Sequence, residues 1–222
     1  MNDSDFPFRD RRQAGRALAA LLLRYRGEPR LAVLALPRGG VPVAFEVAHA
    51  LEAPLDVCVV RKLGFPGQEE YAMGAIASGG AQVLNPDAAR GVSLSTIAQV
   101  VAREQAELHR REQLYRAGQP PLQLRGHTVI VVDDGLATGS TMRAAVLAIR
   151  RQQPARICVA VPVGARETCE RLRADADDVV CAAMPSPFHA VGLAYRDFTQ
   201  ASDDQVCTLL EAARLERALA PH

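Results

Sequence analysis

Residues 128–143 read TVIVVDDGLATGSTMR and contain the most informative pattern in the chain. A run of mostly β-branched apolar residues, from Val129 to Val132, is followed by two aspartates, a loop with two glycines and then helix-forming residues. This order is typical of a buried parallel strand, a tight turn and a helix. Ligands of open α/β sheets bind beyond the carboxyl ends of the strands. We therefore expect the functional groups of this protein in the turn after residue 132.

The turn has the composition of a phosphate-binding loop. Gly135 and Gly139 permit crowded or left-handed backbone conformations, so successive N–H groups can converge on one anion at the start of the next helix. Hydroxyl side chains add further donors around the same point. The predicted phosphate loop consists of Ala137, Thr138, Gly139, Ser140 and Thr141.

Two carboxylates precede this loop. Asp133 and Asp134 stand at the carboxyl end of the predicted strand, beside the predicted phosphate site. Paired carboxylates in this position suit the vicinal hydroxyls of a sugar or a metal ion. A phosphate site next to a diol site fits a ribose 5-phosphate.

Residues 129–141 resemble the signature of type I phosphoribosyltransferases, enzymes that use 5-phosphoribosyl 1-pyrophosphate (PRPP). The shared features are four apolar residues, two acidic residues and a loop that ends Thr-Gly-Ser-Thr. The resemblance implies that Asp133 and Asp134 hold the ribose 2- and 3-hydroxyls and that the following loop wraps the 5-phosphate. It also implies a Mg²⁺ cofactor bound mainly through PRPP, with the two aspartates as further candidate ligands.

An acidic strand end that caps a helix in some other α/β protein is the alternative interpretation of this segment. Two other nucleotide-binding motifs are absent from the sequence. The loop has no lysine and no Gly-Lys-Ser or Gly-Lys-Thr, which excludes a P-loop, and the G-x-G-x-x-G dinucleotide fingerprint does not occur.

A second glycine-rich turn follows the first predicted strand, residues 30–36. Its glycines place exposed backbone N–H groups at the start of a helix that runs to about residue 51. The turn is similar to the pyrophosphate loop of type I phosphoribosyltransferases, which implies that role for Pro37, Arg38, Gly39 and Gly40. In this family the loop often contains a non-proline cis peptide, and the sequence leaves open whether the bond before Arg38 or Gly39 is cis.

A basic pair, Arg61 and Lys62, follows the second predicted strand, residues 55–60. At a strand's carboxyl end, opposite a loop of exposed amides, this pair can neutralise a pyrophosphate leaving group; a solvated strand end is the alternative. Residues 64–71 are predicted to form a mobile polar loop, and the resemblance implies a lid that closes over PRPP and excludes water. The predicted catalytic residues are Arg38, Arg61, Lys62, Asp133 and Asp134.

Short apolar strands alternate with helices along the chain, which predicts an α/β fold with a central, mostly parallel sheet flanked by helices. The resemblance implies the type I phosphoribosyltransferase fold as a single domain over residues 1–222, with a core at about 28–183. The segment at about 184–222, with an N-terminal contribution, is expected to form a small hood over the acceptor. Phe188 is the candidate for stacking on an acceptor ring, and a packing role inside the hood is equally open.

Length, composition and charge favour one domain that binds small molecules. The 222 residues are 49% hydrophobic and 23% charged, enough for one well-filled domain. The net charge of +1 gives no global field that would recruit nucleic acid or an anionic membrane. No apolar run reaches the about 18 residues of a membrane helix, and the acidic first residues are unlike a signal peptide, so we expect a cytoplasmic protein. The five cysteines lack C-x-x-C spacing and are interpreted as structural, and a homodimer is compatible with the sequence.

The predicted activity is transfer of ribose 5-phosphate from PRPP to a nitrogenous base or related acceptor, with release of pyrophosphate. Relatives specific for oxopurines carry an aspartate where this chain has Ala137, which argues against hypoxanthine or guanine as the acceptor. The alternative is a regulatory protein of the same fold that senses PRPP or nucleotides without transferring. The paired loop glycines and the Arg61–Lys62 pair favour catalysis. A hydrolase would need a water-activating base, and no candidate for one stands out in the sequence.

Overall fold

The computed structural model describes residues 6–65, 68–85, 87–88 and 90–219, leaving aside the side chains of residues 68–72 and 81. The helices of this part of the chain are α1 (Arg11–Leu22), α2 (Gly40–Leu51), α3 (Leu94–Arg116), α4 (Ser140–Arg150), α5 (Arg166–Leu172) and α6 (Asp203–Leu219). Its strands are β1 (Leu31–Ala35), β2 (Leu55–Val57), β3 (Val60–Phe65), β4 (Gln68–Ala77), β5 (Ala81–Leu84), β6 (Thr128–Val132), β7 (Arg156–Val163) and β8 (Asp178–Ala183). Two short 3-10 helices cover Leu23–Tyr25 and Val191–Ala194. None of the described helices is both long and apolar enough to cross a membrane.

Five parallel strands form the central sheet in the order β2-β1-β6-β7-β8. β6 is the middle strand, and its Thr128 lies opposite Leu31 of β1 on one side and Arg156 of β7 on the other. The inner strands are rich in Val, Ile, Leu and Ala and are almost entirely buried, as expected when helices cover both faces of a parallel sheet. The predicted α/β fold with a mainly parallel central sheet is confirmed.

Helices cover both faces of this sheet. On one face α1 packs against α2 and contacts β7 and β8, while α2 contacts β1, β2 and β6 and has α6 beside it. α4 and α5 lie on the other face, against β7 and β8 respectively. Successive side chains of β6 point to opposite faces, so Ile130 and Val132 pack into one half of the apolar core and Val129 and Val131 into the other. The middle strand therefore anchors both helical layers.

The chain leaves the central sheet earlier than the sequence predicts. β2 covers only three residues, and Arg61 and Lys62 lie within β3, which joins β4 and β5 in a separate antiparallel sheet. The prediction of one continuous strand that ends in this basic pair is wrong. Ser78 explains the difference, because its N–H donates to Val59 C=O (2.9 Å) and its hydroxyl accepts from Val59 N–H (2.9 Å). These bonds attach the chain to the second sheet.

The segment predicted as a mobile lid, residues 64–71, belongs to a β-hairpin wherever the structure describes it. β3 continues to Phe65 and β4 begins at Gln68, with the two strands paired antiparallel and the register shifting at Gly64. The prediction of a loop is wrong for these residues, and residues 66–67 lie outside the described part. The role of the segment as a lid stays a prediction.

The N-terminal segment lies against the segment that follows β8. Phe8 N–H donates to Ala194 C=O (2.8 Å), and Arg196 N–H donates to Phe8 C=O (2.7 Å). Farther along, α6 begins at a capping box, in which Ser202 and Gln205 each accept the other's backbone N–H at 3.1 Å. α6 then packs on α2 and α3. Both ends of the predicted hood are thus fixed to the body of the domain.

Candidate active site

The two predicted sugar-binding aspartates lie at the carboxyl edge of the central sheet. Asp133 and Asp134 directly follow β6, and both are half-buried. Asp133 Oδ1 accepts a hydrogen bond from Asp134 N–H (2.8 Å). The middle strand therefore places both carboxylates where α/β sheets bind their ligands.

The predicted pyrophosphate loop lies directly against these aspartates. Gly39 is the N-cap of α2, and a β-carbon built on it would collide with the Asp134 carboxylate, 2.7 Å from Cγ. A β-carbon on Gly40 would lie 3.0 Å from the Asp133 Cα. Only glycines permit this approach of the loop to the strand end. The predicted pyrophosphate loop and the paired carboxylates therefore lie on the same surface.

The predicted phosphate loop connects β6 to α4 and is open to solvent. Gly139, the N-cap of α4, has φ +75°, a left-handed conformation that glycine adopts without strain. Ala137, Thr138 and Ser140 are exposed, and Thr138 Oγ1 lies 3.3 Å from Ser140 Oγ. The hydroxyls and the amino end of α4 are therefore together, as an anion site requires.

α5 supports the phosphate loop from the protein interior. The buried Thr168 donates through Oγ1 to Ala137 C=O (2.7 Å), and its Cγ2 lies 2.6 Å from the place of a β-carbon on Gly139. Thr168 was not among the predicted site residues, because nothing in the local pattern of α5 distinguishes it from a threonine that only fills the core.

A cleft of about 710 Å³ separates the phosphate loop from the sheet formed by β3, β4 and β5. Thr138, Ser140 and Thr141 line one side, and the exposed Lys62 lines the other. The structure thus brings Lys62 to the predicted phosphate loop, although from within a hairpin strand and not from the end of a sheet strand.

The two predicted catalytic arginines have acidic partners. Arg61 Nη2 donates to Glu104 Oε2 of α3 (2.7 Å). Arg38, whose peptide bond with Pro37 is cis, has Nη1 at 3.8 Å from Asp203 Oδ1 at the start of α6. Both guanidinium groups are therefore directed to the side of α3 and α6, and their role at a pyrophosphate stays a prediction.

Phe188, the predicted stacking residue, is half-buried and packs on a small apolar cluster. The buried members of the cluster are Phe8, Ala14, Val163, Ala194 and Tyr195. This contact fits the packing role that the sequence left open, and stacking on an acceptor stays a prediction.

Arg11 holds Asp134 and was not among the predicted site residues. Its Nε donates to Asp134 Oδ2 (2.8 Å), with the two side chains only 11% and 16% exposed. Tyr195 donates its phenolic O–H to the Asp134 C=O (2.5 Å). The sequence indicates an amphipathic first helix with arginines on its outer faces, and a contact between residues 123 positions apart leaves no local signal.

The paired carboxylates of Asp133 and Asp134 are candidate ligands for a metal ion. Burial and the neighbouring Asp134 carboxylate raise the pKa of Asp133 well above its usual value. Carboxylate oxygens suit Mg²⁺, but no group of three or more His, Cys, Asp or Glu side chains placed to hold an ion occurs among the described residues. The residues therefore fit a Mg²⁺ ion that takes most of its ligands from a bound phosphate compound.

Similar proteins are known by sequence and by structure. A family model described as phosphoribosyl transferase domain matches residues 9–196. Two proteins from two strains of Mycobacterium tuberculosis, which carry phosphoribosyl transferase as a provisional name, are each 48% identical over 213 residues, covering 95% of this chain and 48% of the relative. The chain thus spans about half the length of these curated relatives.

A solved structure matches nearly the whole length of this chain. A crystal structure of a Thermus thermophilus protein is 45% identical and superimposes with a TM-score of 0.80. The match covers 91% of this chain and 97% of that one. The fold described above is therefore shared along nearly the whole of both chains.

Proposed function

Because this chain belongs to the phosphoribosyl transferase domain family, we propose that it transfers ribose 5-phosphate from PRPP to a nitrogen atom of a base-like acceptor and releases pyrophosphate. One observation carries the proposal: two glycine loops and two aspartates meet at the end of the middle strand. A sugar bearing a phosphate at one end and a pyrophosphate at the other can contact all three elements at once.

The phosphate loop and the aspartates hold the sugar in this proposal. The N–H groups of residues 137–141 and the amino end of α4 bind the 5-phosphate. Ribose hydroxyls donate to Asp133 and Asp134, as charge-assisted hydrogen bonds. Thr168 keeps the loop in place through Ala137. Such positioning is itself a large part of the rate enhancement, because the reacting atoms are held at a fixed distance.

The pyrophosphate leaves on the side of Gly39 and Gly40. The bond from the anomeric carbon to oxygen breaks, the electron pair leaves with the pyrophosphate, and an acceptor nitrogen bonds to that carbon and releases a proton. Lys62 lies across the cleft from the phosphate loop, and its proposed role is to offset the departing charge. Arg38 and Arg61 would exchange Asp203 and Glu104 for pyrophosphate oxygens. When bound with PRPP, Mg²⁺ supplies further neutralisation of the leaving group.

The acceptor is a base other than an oxopurine in this proposal. Ala137 occupies the loop position at which oxopurine-specific relatives carry an aspartate, so the chain has no carboxylate there to pair with a purine ring. The acceptor would enter beside the hood, where Phe188 packs on the cluster that contains Tyr195.

The ribose assignment is tested by replacing the carboxylates. For Asp133→Asn with Asp134→Asn, we expect PRPP binding in the presence of Mg²⁺ to weaken by about 3 kcal/mol or more, because two charge-assisted hydrogen bonds are lost. Isothermal titration calorimetry measures this affinity. Asp87→Asn, an exposed carboxylate paired with Arg90, is the matched control and should bind as the unmodified protein does. Equal affinity of all three proteins would contradict the proposal.

A regulator that senses PRPP is a second candidate, favoured by one observation. Arg38 and Arg61 are paired with carboxylates and not directed at the predicted pyrophosphate site. Pyrophosphate release should be followed with PRPP, Mg²⁺ and a panel of nucleobases and related heterocycles. Release that depends on one acceptor supports the transferase, whereas tight PRPP binding without acceptor-dependent release supports the regulator.

A further inference from the structure

Arg11 connects three distant parts of the chain at the edge of the candidate site. It lies on α1, its Nε donates to Asp134 Oδ2 (2.8 Å), and its Nη1 donates to Thr199 C=O (2.7 Å). The first bond reaches the end of the middle strand, and the second reaches the hood segment. Arg11 therefore fixes the first helix, the hood and one of the paired carboxylates relative to one another.

Aromatic rings hold the guanidinium group of Arg11 in one orientation. Its Cζ lies 4.1 Å from the centre of the Phe198 ring and 5.9 Å from that of Tyr195, and the two rings stack on each other at 5.1 Å. A guanidinium is planar and stacks well on aromatic faces. Tyr195 also donates to the Asp134 C=O. The side chain and the backbone of Asp134 are thus both held by neighbouring elements.

The contacts of Asp134 are divided between its two carboxylate oxygens. Oδ2 accepts from Arg11 and faces Gly39, against which no side chain would fit. A second ligand hydroxyl would therefore meet Oδ1. The positive charge of Arg11 also offsets the repulsion between the adjacent carboxylates of Asp133 and Asp134.

We propose that Arg11 is a positioning residue for the ribose, an inference that rests on the proposed function. By taking Oδ2, Arg11 turns the Asp134 carboxylate so that Oδ1 accepts a ribose hydroxyl beside Asp133. The Phe198 ring, which lies under the guanidinium, and the Thr199 C=O, which accepts from Nη1, hold the group in place. The hood thereby contributes to binding of the sugar, in addition to any contact with the acceptor.

The neighbouring Arg12 provides a matched control. It lies on the same helix, donates through Nε to the buried Glu46 (2.6 Å), and has its Cζ 5.5 Å from the Phe45 ring. Arg12 therefore makes the same two kinds of contact without touching the paired aspartates. Both variants lose an arginine of α1 that pairs with a carboxylate and lies over an aromatic ring, and contact with the site is specific to Arg11.

The test compares ribose 5-phosphate with inorganic phosphate as calorimetric probes of the full chain. Inorganic phosphate reports the phosphate loop alone, and the extra affinity of ribose 5-phosphate reports the sugar contacts. For Arg11→Ala we expect this extra affinity to fall by about tenfold, or about 1.4 kcal/mol, with phosphate binding unchanged. Arg12→Ala should change neither value. Arg11→Lys should recover only part of this extra affinity, since an ammonium group cannot bond to Asp134 and Thr199 together as the planar guanidinium does.

Each outcome separates this inference from the proposed function. Absence of ribose 5-phosphate and PRPP binding in the unmodified protein would end the proposed function itself. If the unmodified protein binds and Arg11→Ala binds ribose 5-phosphate equally well, Arg11 is only structural and the inference is wrong. Tighter binding by Arg11→Ala would also overturn it, because Arg11 would then compete with the sugar. Thermal unfolding of both alanine variants establishes that binding is measured on folded protein.

Discussion

At the scale of single residues, Gly39 leaves no room for a side chain beside Asp134. The predicted pyrophosphate loop reaches the strand end only because position 39 has no β-carbon. The backbone there has φ −62°, which any residue adopts, so the requirement is for space and not for conformation.

We expect Gly39→Ala to abolish most PRPP binding while the protein stays folded. The added methyl group displaces the Asp134 carboxylate or the loop, and a shift of about 1 Å in such a site can cost about 100-fold. Calorimetric titration with PRPP and Mg²⁺ measures the effect. Gly15→Ala is the control, because its β-carbon would lie 2.7 Å from the Val43 C=O between α1 and α2, away from the site. Gly15→Ala should lower the melting temperature more than Gly39→Ala and bind PRPP better.

Single residues also show what the sequence could and could not predict about the site. The aspartates and the glycine loops were predicted because strand, turn and helix are contiguous, so the relevant geometry is local. Arg11 and Thr168 were missed because each acts on a loop far away in the chain. Their local patterns are those of an ordinary outer-face arginine and an ordinary buried threonine.

At the scale of secondary-structure elements, α5 is a support for the phosphate loop. It has only seven residues, and its Thr168 contacts the loop through both its hydroxyl and its methyl group. The shape of the loop therefore depends on an element that contributes none of the predicted ligand contacts.

We expect Thr168→Val to weaken binding of inorganic phosphate by up to about fivefold, since the hydrogen bond of about 1 kcal/mol from its hydroxyl to the loop is lost, together with the one that the hydroxyl accepts from Arg171. Valine keeps the methyl contact with Gly139, so the change removes the hydroxyl alone. Thr208→Val is the control, because Thr208 Oγ1 makes a similar bond to Asp204 C=O on α6. Faster amide hydrogen exchange at residues 137–141 in Thr168→Val, and not in the control, would confirm the support. Unchanged exchange and affinity would contradict it.

The β3–β4 hairpin shows why an apolar pattern misplaced one element boundary. The run from Leu55 to Val60 has the composition of a single buried strand. Ser78 forms two hydrogen bonds with the Val59 backbone, and the chain continues from there into another sheet. Such a long-range partner decides which sheet a strand joins, and hydrophobic periodicity carries no information about it.

At the scale of the whole molecule, a buried ion pair ties the long helix α3 to the edge of the central sheet. Arg116 donates through Nε to Asp56 Oδ1 (3.0 Å) and through Nη2 to Val57 C=O (2.9 Å) of β2. Both charged side chains are almost fully buried, and Asp56 also accepts the N–H of Leu122. The pair thus joins α3, β2 and the connection that leads to the middle strand.

We expect Arg116→Met to lower the free energy of unfolding by about 3–5 kcal/mol, because it leaves the Asp56 carboxylate buried without a counter-charge. Adding Asp56→Asn should recover part of this loss, since a neutral amide oxygen still accepts N–H bonds. Urea unfolding followed by circular dichroism measures both values. Arg110→Met, which removes an exposed pair with Glu107, should have little effect. A double variant no more stable than Arg116→Met would contradict this explanation.

The overall architecture was predictable because it follows from alternation repeated along the chain. Short apolar runs separated by helical patterns suffice to indicate a parallel sheet between two helical layers. The attachment of the N-terminal segment to residues 194–196 was harder to predict from the sequence, because it depends on backbone hydrogen bonds between the two ends of the domain.

The link between α3 and β6, residues 117–127, divides the site into two complementary halves. A chain cut there would carry Arg11 and Gly39 on one piece and Asp134 with the phosphate loop on the other. β1 and β6 would also be separated, although they are neighbours in the sheet. A sugar phosphate that binds both pieces would draw them together, so the cut protein is a ready scaffold for a ligand-driven fragment-complementation reporter.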